Sequence, residues 1–170
     1  MSNSVKIALL ALLAVFVALQ LYPVDRANPP VTAALDLPEG EVGDILRDAC
    51  LDCHSHETVW PWYSRIAPAS FFVADHVEEG REHLNFSTWT TEDVESRDHM
   101  LEEMVEVMEE REMPLRSYTL IHPEARLTGA QRSLLIRWAR ERRAGLRSSE
   151  SREPYDAAED GEHDRREGRG

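Results

Sequence analysis

The chain has 170 residues, 32 of them acidic and 19 basic, for a formal net charge of −13. That length suits one modest domain with additional segments. The charge argues against a nucleic-acid partner, whose binders carry basic patches, and two cysteines are too few for a four-cysteine zinc site.

From Val5 to Val24 the only charge is Lys6, and the polar exceptions after it are Gln20 and Tyr22. An apolar run of about 18 residues just spans a bilayer. It ends Gln20-Leu21-Tyr22-Pro23-Val24-Asp25-Arg26, without the small-residue site at which a signal peptide is cut. Residues 1–24 are therefore expected to form an uncleaved signal anchor, a single transmembrane helix with Tyr22 at the interface. A cleaved signal peptide and a buried core helix are the competing readings, and Lys6 gives only a weak positive-inside signal. Residues 25–38 contain Asn28-Pro29-Pro30 and read as an extended tether.

Residues 39–146 read as the folded domain. Val42, Ile45, Leu46, Ala49, Cys50 and Cys53 recur at helical spacing, with Glu39 and Glu41 at the positive end of that helix. The helix is expected to deliver Cys50-Leu51-Asp52-Cys53-His54 at its C-terminal end. C-x-x-C-H is the attachment pattern of a c-type haem. Two thiols form thioethers with the porphyrin vinyl groups, and the adjacent histidine reaches the iron as proximal ligand. On a helix, Cys50, Cys53 and His54 would share one face. A redox dithiol, a structural disulfide and half of a zinc site are the competing readings.

Trp60-Pro61-Trp62-Tyr63 and Ile66-Ala67-Pro68 suggest a loop packed over something flat, haem or ordinary core. A second helix is expected from Pro68 through Phe71, Phe72, Ala74, His76 and Val77 to Gly80. The stretch from Arg81 to Trp89 is less regular. Arg65 and Arg81 are candidate partners for haem propionates, against an ordinary surface role. A third helix should start at Thr90 or Thr91 and carry Val94, Leu101, Met104, Val105 and Met108 on its apolar stripe. Ten acidic residues between Glu92 and Glu112 line its other side, either a solvated face or a steering surface for a basic partner. The helix should stop at Met113-Pro114. Residues 115–125 read as a loop. Thr128 and Gln131 form a capping box for a last helix through Leu134, Leu135 and Trp138, ending near Gly145. Residues 147–170 are charged, almost free of apolar content, and expected to be disordered. No strand is expected, and the class is all-α.

The sixth iron ligand separates the functional readings. Met113 leads, 59 residues after His54 on a proline-bordered loop. Met100 is a rival, and Met104 and Met108 fit a core stripe. His56 is too near His54 to reach the opposite face, while His76, His83, His99 and His122 stay open by spacing. A methionine-ligated iron suits single-electron transfer. An open site with a distal histidine such as His76 suits peroxide activation, and a weakly held ligand suits a gas sensor.

The chain resembles the haem-binding domain family, single-haem proteins related to c-type cytochromes. The resemblance runs from about Asn28 to Trp138. It rests on Asn28-Pro29-Pro30-Val31, Cys50 to Ser55 with Thr58, Trp60 to Ser64, Ile66-Ala67-Pro68 with Ser70, Gly80-Arg81, Asn85-Phe86-Ser87 with Trp89, Met113-Pro114 with Tyr118, His122-Pro123 with Ala125, and Leu127 to Trp138. It implies a small cytochrome c-like helical domain around one covalent haem, held by Cys50 and Cys53 with His54 on the iron. It favours Met113 as distal ligand, by similarity to the Met-Pro loops of class I cytochromes c. Because c-type haem is attached outside the cytoplasmic membrane in bacteria, the haem domain is expected on the periplasmic side of the inner membrane. The resemblance names no substrate or redox partner.

Overall fold

A computed structural model of the chain describes residues 2–150, and every regular element among them is helical. The helices are α1 (Asn3–Gln20), α2 (Glu41–Ala49), α3 (Leu51–His54), α4 (Ala69–His83), α5 (Val94–Glu110), α6 (Arg116–Ile121) and α7 (Gly129–Glu150). Single 3-10 turns occupy Trp62–Arg65, Trp89–Thr91 and Pro123–Ala125. The expected all-α class is the one observed. The described residues form two compact units, 2–32 with Leu51–Ser87, and Ala33–Cys50 with 88–150.

In the first unit, α1 has no buried residue. Its C-terminal end is fastened to the body. Gln20 Nε2 donates to the Ala67 carbonyl at 3.3 Å, and Gln20 Oε1 accepts from the Ala67 N–H at 2.9 Å. Tyr22 meets Phe71 edge-on, with ring centroids 5.7 Å apart. Residues 25–32 have no regular secondary structure and are held by side-chain hydrogen bonds. Arg26 donates to the Ser64 carbonyl and Asn28 to the Thr58 carbonyl, and Arg81 donates to Ala27 and Asn28. Helix α4 packs against α3 and the Trp62–Arg65 turn. It buries Val77 and Gly80, and its cap residue Leu84 is buried as well. The expected irregular stretch after Gly80 is helical as far as His83, with the N–H of Leu84 donating back to the Gly80 carbonyl.

In the second unit, α5 packs on α7. The pairs Asp98–Arg147, Glu109–Arg140 and Met108–Arg132 run in opposite chain directions, so the two helices are antiparallel. Leu101, Met104, Val105 and Met108 of α5 and Leu135 and Ala139 of α7 are buried, as the helical stripe requires. Helix α2 adds Ile45 and Leu46 and packs on α7 and the Pro123–Ala125 turn. Burial of Leu46, Leu101 and Leu135 contributes about 2 kcal/mol each.

Several boundaries differ from the sequence reading. Helix α5 starts later, because Asp93 rather than a threonine caps it, accepting from the Ser96 N–H at 2.7 Å. It stops at Glu110, before the proline, because Arg111 takes a left-handed conformation at φ 62°. The expected loop at 115–125 contains α6 and a 3-10 turn, closed by Arg126 donating to the Thr119 carbonyl. The capping box at Thr128 and Gln131 is present in both directions. Helix α7 runs through Gly145 to Glu150 instead of ending near it. Arg147 bonds Asp98 on α5, which carries the first residues of the expected tail into the helix. The remainder of that tail, from residue 151, lies outside the described residues.

Candidate functional site

The motif is built on a break. The expected continuous helix through Cys53 is divided at Cys50, where φ −124° and ψ −44° close α2 and the Cys50 N–H donates to the Leu46 carbonyl. Leu51–His54 then form a helix of their own, α3. Cys50 is buried and Cys53 half-buried, and no disulfide joins them. Cys53 and His54 belong to the first unit, Cys50 and Met113 to the second.

His54 is the most closely determined of these side chains. Its Nδ1 lies 2.8 Å from the Gly80 carbonyl oxygen and 2.9 Å from that of Leu84. Carbonyls only accept, so Nδ1 carries the proton and donates to both. Nε2 is then the lone-pair nitrogen, which is the one a metal takes. Burial lowers the His54 pKa, against the opposing pull of the two carbonyls, so the ring is held neutral. The clasp depends on Gly80. A Cβ there would stand 2.9 Å from the Cys53 carbonyl oxygen and 3.2 Å from Cys53 Cβ. Only glycine lets α4 approach α3 this closely.

Burial, reinforced by the negative charge of Asp52 and opposed by Arg81, pushes the Cys53 thiol up to about 11. Among the described residues no group of three or more His, Cys, Asp or Glu could hold a metal ion. This leaves the zinc reading without ligands there.

Around the motif, side-chain oxygens close the turns. Ser55 Oγ donates to the Leu51 carbonyl, and Thr58 Oγ1 donates to that of Asp52. Asp52 Oδ1 accepts from the Val59 N–H. Arg81 was a candidate for a propionate. Its guanidinium instead bonds the Ser55 carbonyl (2.8 Å), Ala27, Asn28 and Thr58 Oγ1, so all three of its nitrogens have protein partners. Arg65 is exposed on its turn. His56 donates from Nδ1 to the Pro30 carbonyl and accepts at Nε2 from Asn85. It therefore braces the motif's flank. Among the described residues two buried side-chain polar atoms have no hydrogen-bond partner, Trp60 Nε1 and His76 Nδ1.

Met113 is half-buried beyond the end of α5. Arg132 of α7 fixes it, Nη1 donating to the Met113 carbonyl at 2.7 Å and to that of Met108 at 3.0 Å. Burial lowers the Arg132 pKa, though not enough to discharge a guanidinium. Met104 and Met108 are core, as their stripe required. His122 pairs with Glu124 at 2.8 Å and stacks on Tyr118, and His99 pairs with Glu103 at 3.5 Å. The sequence reading missed the Gly80 and Leu84 carbonyls and the Arg132 brace. An isolated glycine inside the α4 pattern was the available sign of the first.

A fold of packed helices with a pinned histidine beside two cysteines defines a small helical haem protein. The family model described as haem-binding domain matches residues 14–141, and the chain belongs to that family. Comparison with curated proteins gives no match, nor does comparison with solved structures.

Proposed function

We propose that this protein is a membrane-anchored, monohaem c-type cytochrome that transfers single electrons. Cys50 and Cys53 hold one haem through thioethers, His54 Nε2 is the proximal ligand and Met113 the distal one. The observation that carries the reading is the double carbonyl clasp on His54 Nδ1, which aims a neutral ring at a metal through Nε2. The bound group would supply a one-electron iron couple. The chain's own task is to hold the ligands still and keep water away. Trp60 Nε1 and His76 Nδ1 are the kind of buried group that a carboxylate of the cofactor would satisfy.

Helix α1, 18 residues long and entirely exposed, serves as the anchor, with the haem-bearing part on the periplasmic side. The acidic side of α5 is the docking face for a basic redox partner. Its charge is partly met by the α7 arginines at Asp98, Glu102 and Glu109, and Glu106, Glu110 and Glu112 extend the exposed acidic surface.

Met113→Ala tests the ligand assignment. The substitution is expected to lower the reduction potential and abolish the thioether-to-iron absorption band of the ferric form. An unchanged spectrum would remove Met113. Rapid cyanide binding by the unaltered protein would show an open site and overturn the electron-carrier reading in favour of a peroxidase-like enzyme or sensor.

A further inference from the structure

Residues 59–74 carry one charge, Arg65, in a chain in which 32 of 170 residues are acidic. Within this run Trp62 is 75 % exposed, Phe72 64 % and Ile66 41 %. Single exposed apolar residues are ordinary, but three on a turn and a helix that pack together mark a candidate interaction surface. The same run carries the attachment point of α1, through the two Gln20–Ala67 hydrogen bonds and the Tyr22–Phe71 ring pair.

The geometry fixes the depth of that point. Eighteen helical residues span about 27 Å, close to the hydrocarbon thickness of about 30 Å. With α1 crossing the bilayer, Gln20 lies at headgroup level, and Ala67 lies beside it. Helix α4 starts two residues later, and its acidic residues begin at Asp75 and continue through Glu78, Glu79 and Glu82. Phe72 and Glu79 are seven residues apart and share a helix face. Polarity therefore changes along α4 rather than around it, and a helix lying flat would bury Glu79 with Phe72.

We infer that Trp62, Ile66 and Phe72, continuous with Leu21 and Tyr22, are seated in the headgroup layer of the bilayer that α1 crosses, and that α4 rises from it with its acidic end outward. The inference rests on the anchor reading above. Tryptophan and tyrosine are the side chains that favour this layer. Gly80 and Leu84, which hold His54, lie roughly 12 and 18 Å beyond Phe72 along the axis of α4. The histidine is then carried at a fixed height, not swung on a loose tether.

The test places benzoylphenylalanine singly at Phe16, Trp62, Phe72 or Glu79 of the full chain in phosphatidylethanolamine–phosphatidylglycerol nanodiscs. Irradiation is followed by mass spectrometry of the adducts. Lipid adducts at 16, 62 and 72 with none at 79 are expected. Adducts at 16 but none at 62 and 72 would leave the anchor standing and overturn the seating. No lipid adduct at 16, 62 or 72 would overturn the anchor and the seating with it. A lipid adduct at 79 would mean a flat α4 and sink the upright arrangement. Chain-to-chain cross-links at 62 and 72 in place of lipid would make the occupant a second copy and overturn the inference.

Discussion

Gly80→Ala is the sharpest test of how His54 is held. On an open helix surface the change would stabilise by about 1 kcal/mol through helix propensity. Here the added Cβ meets the Cys53 carbonyl oxygen at 2.9 Å, Cys53 Cβ at 3.2 Å and the Cys53 carbonyl carbon at 3.3 Å. Two of these are backbone atoms, so no side-chain rotation relieves the contact. Helix α3 must retreat by about half an ångström, an overpacking that costs roughly 2 kcal/mol. The retreat also stretches the 2.8 Å bond from His54 Nδ1 to the Gly80 carbonyl, worth about 1 kcal/mol. The net expectation is a loss of about 2 kcal/mol, or roughly 1 M in a urea midpoint for a protein of this size. Urea unfolding of the full chain followed by far-ultraviolet circular dichroism measures it. Gly145→Ala is the matched control, since a Cβ there meets nothing within 4 Å and the change should gain roughly 0.5–1 kcal/mol. An alanine at 80 that matched or exceeded the unaltered stability would refute the close approach of α4 to Cys53, and with it the clasp.

Two further outcomes are expected. Arg143 and Arg147 hold the Asp98 carboxyl down to about 2, from an ordinary value of 3.8. A lowered folded-state pKa gives stability that is complete above the ordinary value and lost as pH falls through the lowered one. Asp98→Asn should therefore cost roughly 1 kcal/mol at neutral pH, allowing for the exposure of Arg147. The gap should close between about pH 4 and pH 2, and a gap constant across that range would disprove the pairing. Arg81→Lys should raise amide hydrogen exchange at Ala27, Asn28 and Val31, because a point charge cannot reach Ser55, Ala27, Asn28 and Thr58 together. Unchanged exchange would show that Arg81 does not hold this segment.

The sequence alone determined the all-helical class, the apolar N-terminal helix, the cofactor class and the α5 core stripe. Each follows from a local pattern: a period of 3.6, an apolar run of bilayer length, or cysteines and histidine at fixed spacing. The capping box at Thr128 was legible for the same reason, since both partners lie within one turn. The boundaries that shifted were governed from outside their own segments. Arg147 belongs to α7 because Asp98, 49 residues away, pairs with it. Only the tertiary structure decided how His54 is oriented. The two carbonyls that set its tautomer lie 26 and 30 residues downstream, and backbone acceptors leave no mark in a residue pattern. Gly80 was visible as a letter but not as a requirement, because the atoms that exclude a side chain there belong to Cys53, on another helix. Spacing names the residues able to hold a cofactor, whereas long-range packing decides which nitrogen of His54 carries the proton and which keeps its lone pair.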